Sequence, residues 1–261
     1  MESPGYIILS RQTALQRELS IVANNIANVN TTGFKRDRAN FETLLYQVRR
    51  VAGDQVTAEA NLTSSFSVGT GARIVNTQKA HSQGSLITTD NSLDLAIEGG
   101  GFFQVLLPDG RIGYTRNGAF STNNEGVLTT SSGYVVQPEI AIPDGVTQIN
   151  ISRDGIISVL VAGAVGADAV GQMQIADFTN RGGLQPIGES FFVETDTSGD
   201  PIVGNPQDVG LGRLIQGALE ASNVNVVTEL VEMIETQRAY EVSSKSITSV
   251  DEMLRYISQN L

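Results

Sequence analysis

From Asn225 to Leu261 the chain contains neither glycine nor proline. An unbroken run of that length predicts a helix of roughly 35 residues, on the order of 50 Å, far longer than an ordinary globular helix. Along it Val226, Leu230, Met233, Tyr240 and Ile247 fall on one heptad seam. After a three-residue step Val250, Leu254, Ile257 and Leu261 continue it, while Gln237 and Ser244 dilute it. Asn225 is the natural N-cap, because its side-chain oxygen can accept from the first free N–H groups. A lone amphipathic helix leaves its seam in water, so this one needs a partner.

The other end of the chain offers one. Ile8, Leu15, Leu19, Val22, Ile26 and Val29 follow one another at spacings of seven, four, three, four and three, a second helical stripe in which Gln12 is the polar exception. Residues 1–50 hold seven Lys or Arg against four Asp or Glu, a net +3, and residues 217–261 hold three against seven, a net −4. Opposite charge helps select the pairing, although exposed ion pairs each contribute less than about 1 kcal/mol and the apolar seams must supply the rest. Two arrangements satisfy the seams: a hairpin that closes a domain within one chain, or packing against further copies.

The middle of the chain is different in kind. From about 76 to 216, short runs such as FFQVLL, YVVQP, INIS, IISVLV and SFFVE alternate with turn dipeptides, among them Asp109-Gly110, Asn117-Gly118, Ser132-Gly133 and Asp154-Gly155. Closely spaced turns of this type predict an antiparallel, all-β body. Residues 49–73 are polar, glycine-bearing and aperiodic, which predicts an extended linker or a hairpin ordered by a partner. The expected fold is therefore mixed α and β. Residues 1–45 and 217–261 form a discontinuous coiled-coil domain, 46–75 an extended linker or hairpin, and 76–216 a β-rich outer domain.

Composition narrows the chemistry. With no cysteine there are no disulfides, thiolate metal sites or cysteine nucleophiles, and a net charge of −11 argues against a nucleic-acid surface. The opening residues do not read as a secretory signal, because Arg11, Arg17 and Glu18 interrupt them, and no window is long and apolar enough to span a membrane. His81, the single histidine, lacks the strand, sharp turn and helix of a nucleophile elbow and reads as a hydrogen-bonded strand-end residue. EGGGFFQV at 98–105 has no phosphate-loop Lys-Ser/Thr, and DTSGD at 196–200 misses calcium-loop spacing. A hydrolase would have to draw on Asp90, Asp94 or Glu98 as its acid and base. A β-rich binding module would want clustered aromatics, whereas this chain has no tryptophan and 6% aromatic residues. No catalytic residue, cofactor or metal is expected.

The stretch joining the first helix to the body reads VANNIANVNTTGFK, residues 22–35. Asn28, Asn30, Thr31 and Thr32 compete with the backbone for hydrogen bonds and Gly33 can take a left-handed conformation, so the helix stops sharply and Phe34 and Lys35 restart the chain in a new direction. This segment, and Ala23, Asn24, Asn25, Asn28, Thr32, Gly33, Phe34 and Lys35 in particular, resembles the signature of the bacterial flagellar axial proteins, the rod and hook family. The resemblance extends to DLAIEGGGFFQV at 94–105, YTRNGAFSTNNEGVLTTSSGYVVQP at 114–138 and GALEASNVNVVTELVEMIETQRAYEVSSKSI at 217–247. Within the family the linker and body are most similar to the distal-rod branch, whereas the first twenty residues are more similar to the proximal-rod branch.

The resemblance implies a structural subunit of the basal-body rod, spanning the periplasm to the outer membrane, that polymerises helically into a stiff drive shaft carrying torque to the hook. It implies that the terminal helices line an inner tube, that Ile8, Leu15, Leu19, Val22, Ile26, Val29, Val226, Leu230, Met233, Tyr240, Ile247 and Leu254 form the assembly interface, and that the linker locks neighbouring subunits. The partners it implies are further copies, other rod proteins, hook protein, surrounding ring proteins and the flagellar type III export apparatus. Nucleic acid and membrane insertion are not expected.

Overall fold

The computed structural model describes residues 4–50, 55–57, 60–61, 65–162 and 166–259. By its internal contacts the chain forms two units: one of residues 1–26, 37–78 and 225–261, the other of residues 27–36 and 79–224. The chain therefore crosses between them four times, and the short 27–36 excursion is the first visit to the second unit.

The first unit holds both long helices. Helix α1 spans Pro4–Ala27 and helix α2 spans Val226–Gln259, 34 residues. Asn225 caps α2 as its sequence position suggests: its Oδ1 accepts from the N–H groups of Val227 and Thr228 at 3.0 and 3.2 Å. Helix α1 gives out two residues before Val29, which lies in the turn beyond it. Between the helices in sequence runs a two-stranded ribbon. Asp37–Thr43 pairs with Ala72–Lys79, Tyr46–Arg50 with Phe66–Gly69, and Gln55–Thr57 with Ala60–Asn61, each ladder nested inside the last. Of the linker residues, Val51 and Leu62 lie outside those described. Phe41, Leu45, Tyr46, Val48 and Phe66 project from the ribbon into solvent, Leu45 at 88% exposure.

The second unit is the β body. Its central strand, Phe102–Leu106, bonds antiparallel to Ile112–Thr115, to Val136–Gln137 opposite Val105 and Gln104, and to Ile175–Asp177 opposite Phe103 and Phe102. Side chains in a strand alternate between faces, and here both faces are covered. Phe103, Ile175 and Phe191 enter the larger core with Leu95, Ile97 and Leu214, while their neighbours Phe102, Ala176 and Phe192 enter a smaller aromatic core with Tyr114 and Phe178. That alternation explains why FFQVL and SFFV read as continuous apolar runs. A three-stranded meander, Val146–Ile151, Ile156–Val161 and Asp168–Gln172, adds Ile151, Ile157 and Val159 to the larger core. Leu95–Glu98 pairs with Arg213–Gln216, and Leu86–Thr88 with Ala218–Glu220, so the body closes with the residues that lead into α2.

The turn dipeptides divide into two kinds. Gly110, Gly126, Gly133, Gly145, Gly155 and Gly199 all have positive φ, as tight turns require, but Gly118 does not. Gly118 is needed for a close approach instead: its carbonyl accepts from Leu95 N–H at 3.0 Å, and an added Cβ would lie 1.7 Å from the Leu95 carbonyl oxygen. Gly133 has φ +85° with open space around it. Gly118→Ala is therefore expected to destabilise the body by about 3 kcal/mol or more, because backbone must move. Gly133→Ala should cost only the left-handed strain of about 1–2 kcal/mol. Urea unfolding of the two variants measures the difference; equal losses would contradict the close-approach reading.

Candidate functional site

The asparagine-rich motif works at two places, one in each unit. In the helical unit the Asn25 amide pairs with the Asp37 backbone in both directions: its Nδ2 donates to Asp37 O at 2.9 Å and its Oδ1 accepts from Asp37 N–H at 2.9 Å. The second N–H of the same amide donates to Glu229 Oε2 on α2 at 3.0 Å. Only a side-chain amide can donate and accept together in this way, which accounts for asparagine at a buried position. Asn24 Nδ2 adds a bond to Asp37 Oδ2 at 3.3 Å. These contacts clamp both ends of the 27–36 excursion. Ala23 is exposed and makes no part of the clamp.

In the β body the excursion is held by a buried ion cluster. Lys35 Nζ donates to Glu220 Oε1 at 2.6 Å and to Ser82 O at 2.7 Å, with both charged side chains fully buried. Arg116 Nη1 reaches Glu220 Oε2 at 3.3 Å, its Nη2 donates to Gly99 O at 2.7 Å, and its guanidinium lies over the Phe102 ring at 5.3 Å. Gly84 N–H completes the shell of Glu220 Oε1 at 2.8 Å. Burial works against the charged forms of Lys35 and Arg116, pushing both below their ordinary pKa ranges, and the Glu220 carboxylate opposes that push.

Backbone bonds finish the seat. Gly33, at φ +69°, donates its N–H to Glu220 O at 2.8 Å, and a Cβ there would lie 2.5 Å from Asn117 N. Its left-handed geometry thus belongs to this docking turn, six residues past the end of α1, and not to a helix cap. Thr32 Oγ1 donates to Asn117 Oδ1 at 3.0 Å, Asn28 Oδ1 accepts from Thr31 Oγ1 at 3.2 Å, and buried Phe34 carries the Lys79 ammonium 4.4 Å from its ring centre. Asn223 bridges three segments: its Oδ1 accepts from Arg36 N–H at 2.7 Å, and its Nδ2 donates to Ala80 O at 2.7 Å and Ser82 O at 3.1 Å.

The two helical stripes meet different surroundings. On α1, Val22 is buried and Ile8, Leu15, Leu19 and Ile26 are half-buried; Val29, beyond the helix, is half-buried in the body. On α2, Val226 and Leu230 are exposed while Met233, Tyr240 and Ile247 are half-buried; the side chain of Leu254 lies outside those described. The line that is buried is polar: Glu229, Thr236 and Ser243, seven residues apart. On the opposite side of α2, Val227, Val231, Ile234 and Val242 form an apolar stripe in water, with Val227 at 71% and Val242 at 64% exposure.

Of the three carboxylates considered for catalysis, Asp90 is exposed, and Asp94 and Glu98 are occupied otherwise. Asp94 is buried and accepts from Thr89 Oγ1 at 2.8 Å and Asn91 Nδ2 at 2.9 Å, tying a turn. Glu98 is paired with Arg213 at 2.5 Å, a contact that holds its carboxyl below the usual range. Ser198, within DTSGD, is buried and bonded into its own loop, its Oγ donating to Thr195 O at 2.8 Å. His81 departs from the expected hydrogen-bonded residue: among the described residues neither ring nitrogen has a partner, and the ring makes T-shaped contacts with Phe102 and Phe192 at 5.5 and 5.3 Å. Among the described residues no group of three His, Cys, Asp or Glu side chains could hold a metal ion. The sequence reading missed Arg116 and Glu220 as functional positions, although both stand inside motifs it singled out.

Three segments match families of known description. Residues 6–35 match "Flagella basal body rod protein", residues 96–159 "Flagellar hook protein FlgE/F/G D1 domain", and residues 215–260 "Flagellar basal body rod FlgEFG protein C-terminal". The chain is 51% identical to the flagellar basal-body rod protein FlgG of Buchnera aphidicola subsp. Acyrthosiphon pisum, covering 94% of this chain and 95% of that protein. Its identity to FlgG of Borreliella burgdorferi is 45%, over 97% and 96% of the two chains, and to FlgG of Caulobacter vibrioides 44%, over 96% of each.

The ion cluster makes a direct prediction. Glu220→Gln leaves Lys35 and Arg116 buried with no carboxylate between them, and is expected to destabilise the body by about 3–5 kcal/mol. Lys35→Met in the Glu220→Gln background should recover part of that loss by removing one of the stranded charges. Denaturant unfolding of the single and double variants measures both; additive losses would contradict a shared cluster.

Proposed function

Because the chain belongs to the FlgG family of flagellar basal-body rod proteins, we propose that it is the distal-rod subunit, a structural protein that polymerises helically into a stiff shaft carrying torque from motor to hook. In this reading the two helical ends form one discontinuous domain that coils with the same domain of further copies into an inner tube, and the β body faces outward. The subunit travels unfolded through the flagellar type III export apparatus. It then meets other rod proteins, hook protein and the surrounding rings between periplasm and outer membrane.

The observation that carries the assembly reading is the exposed stripe on α2. A helix that buries Glu229, Thr236 and Ser243 while Val227, Val231, Ile234 and Val242 stand in water is matched to more neighbours than its own unit supplies. An open groove of about 850 Å³ between α1 and α2, lined by Ile8, Ala14, Leu15 and Ala239 and meeting the stripe at Val242, offers a complementary apolar surface within the same unit. A stripe on one copy meeting a groove on the next is a heterologous contact, and repeated with a screw rotation it gives an open helix. The seam residues Leu15, Leu19, Val22, Leu230, Met233 and Tyr240 flank this surface and belong to the same proposed interface. Ile8, Ile26, Val29, Val226, Ile247 and Leu254 extend it along the helices. The ribbon, with Leu45, Tyr46 and Phe66 exposed, is the element proposed to lock neighbours laterally.

Two experiments test this. Ile234→Asp should abolish sedimentable polymer at concentrations where the parent polymerises, since a charge without a partner at a buried contact costs several kcal/mol for every added subunit. The body's thermal transition should stay in place. Normal polymer yield from Ile234→Asp would refute the interface. Deleting residues 49–73 should leave polymerisation intact but give curved or more flexible rods under the electron microscope; rods of unchanged straightness and stiffness would end the locking role.

A further inference from the structure

Both ring nitrogens of His81 are buried in the β body, and among the described residues neither has a hydrogen-bond partner. Its ring makes T-shaped contacts with Phe102 and Phe192, and Phe102 also carries the Arg116 guanidinium. The charged groups facing it come from four segments. Lys35 enters from the docked motif, Lys79 from the strand before His81, Arg116 from the turn after Ile112–Thr115, and Arg181 from the 3-10 turn Arg181–Gly183; all four disfavour a positive charge on the imidazole. Asp177 answers Arg181 with a two-pronged pair at 2.7 and 2.6 Å. Glu220 alone answers both Lys35 and Arg116. His81 is also next in sequence to Ser82, whose carbonyl receives the Lys35 ammonium, and to Ala80, whose N–H donates to Arg36 O at 2.8 Å.

We propose that this pocket is an acid-sensitive latch: protonation of His81 sets a further cation beside Lys35 and Arg116, against the single Glu220 carboxylate, and releases segment 32–36 from the β body. The proposal is independent of the rod reading. Two features support it. A protonated imidazole has two N–H donors and the described pocket offers neither an acceptor. The segment's hold on the body is the same Lys35–Glu220 contact that the added charge weakens. Burial, followed by the neighbouring cations, holds the His81 pKa down to about 4 from an ordinary 6.5. The released state takes up its proton near 6.5, so the latch is fully closed above that pH and is lost progressively as pH falls toward 4.

Because His81 is the only histidine in the chain, its imidazole C–H resonance can be followed by NMR without ambiguity. In the unaltered chain the closed-form resonance should remain neutral through pH 6.5 and titrate only near 4. Over that window the amide-exchange protection of Gly33 and Ala80, corrected for the intrinsic pH dependence, should fall by about tenfold per pH unit, as one-proton linkage requires. Val105 and Tyr114, in the central sheet, should keep theirs. His81→Phe, which retains an aromatic ring and removes the proton, should show no such fall above about pH 4.5. A histidine that titrates near 6.5 with protection of Gly33 undiminished would overturn the latch, as would an equal fall in His81→Phe. The titration of the unaltered chain decides the matter even if the variant does not fold.

Discussion

One buried carboxylate holds together segments that lie far apart in the chain. Glu220 receives Lys35 from the docking motif, Arg116 from the turn after Ile112–Thr115 and the N–H of Gly84, while its own backbone carbonyl receives Gly33. Two buried cations on one carboxylate are costly to bring out of water, and such a cluster is weak evidence for stability as such. What it supplies is geometry. It fixes the place where the chain enters and leaves the β body between α1 and the ribbon, and Glu220 stands five residues before Asn225, the cap of α2. The complementary clamp, Asn25 on Asp37 and Glu229, fixes the same excursion from the helical side.

That arrangement explains the composition of the motif better than helix termination does. Asn25 is suited to its place by an amide that donates and accepts at once, Gly33 by a left-handed turn pressed against Asn117, Phe34 by a ring under the Lys79 ammonium, and Lys35 by a charge able to reach Glu220. The β core draws on neither helix: its two apolar clusters are made within the body itself.

Much of the architecture was legible in the sequence because it follows local rules. The long breaker-free stretch, its Asn225 cap and the antiparallel body with turn glycines depend on residues close together in the chain. The buried cluster was not legible. Lys35, Arg116 and Glu220 are separated by more than eighty residues each way, and each alone reads as an ordinary surface charge. Gly118 looked like a turn glycine because Asn-Gly usually is one; only the neighbouring strand reveals the close approach. His81 read as a hydrogen-bonded strand-end residue because Phe102 and Phe192, the rings it packs against, come from elsewhere in the chain. On α2 the heptad reading followed the apolar residues, whereas the line buried within the unit is the polar one, Glu229, Thr236 and Ser243.

The central claim is that the apolar face of α2 awaits other copies of the chain. Since the chain has no cysteine, Val231→Cys gives a single thiol on that face, and its reaction rate with a maleimide can be compared between dilute subunit and assembled polymer. The account predicts fast labelling in the subunit and at least about tenfold slower labelling in the polymer, the signature of a contact worth about 1.4 kcal/mol or more in occlusion. A thiol that reacts equally fast in both would contradict it.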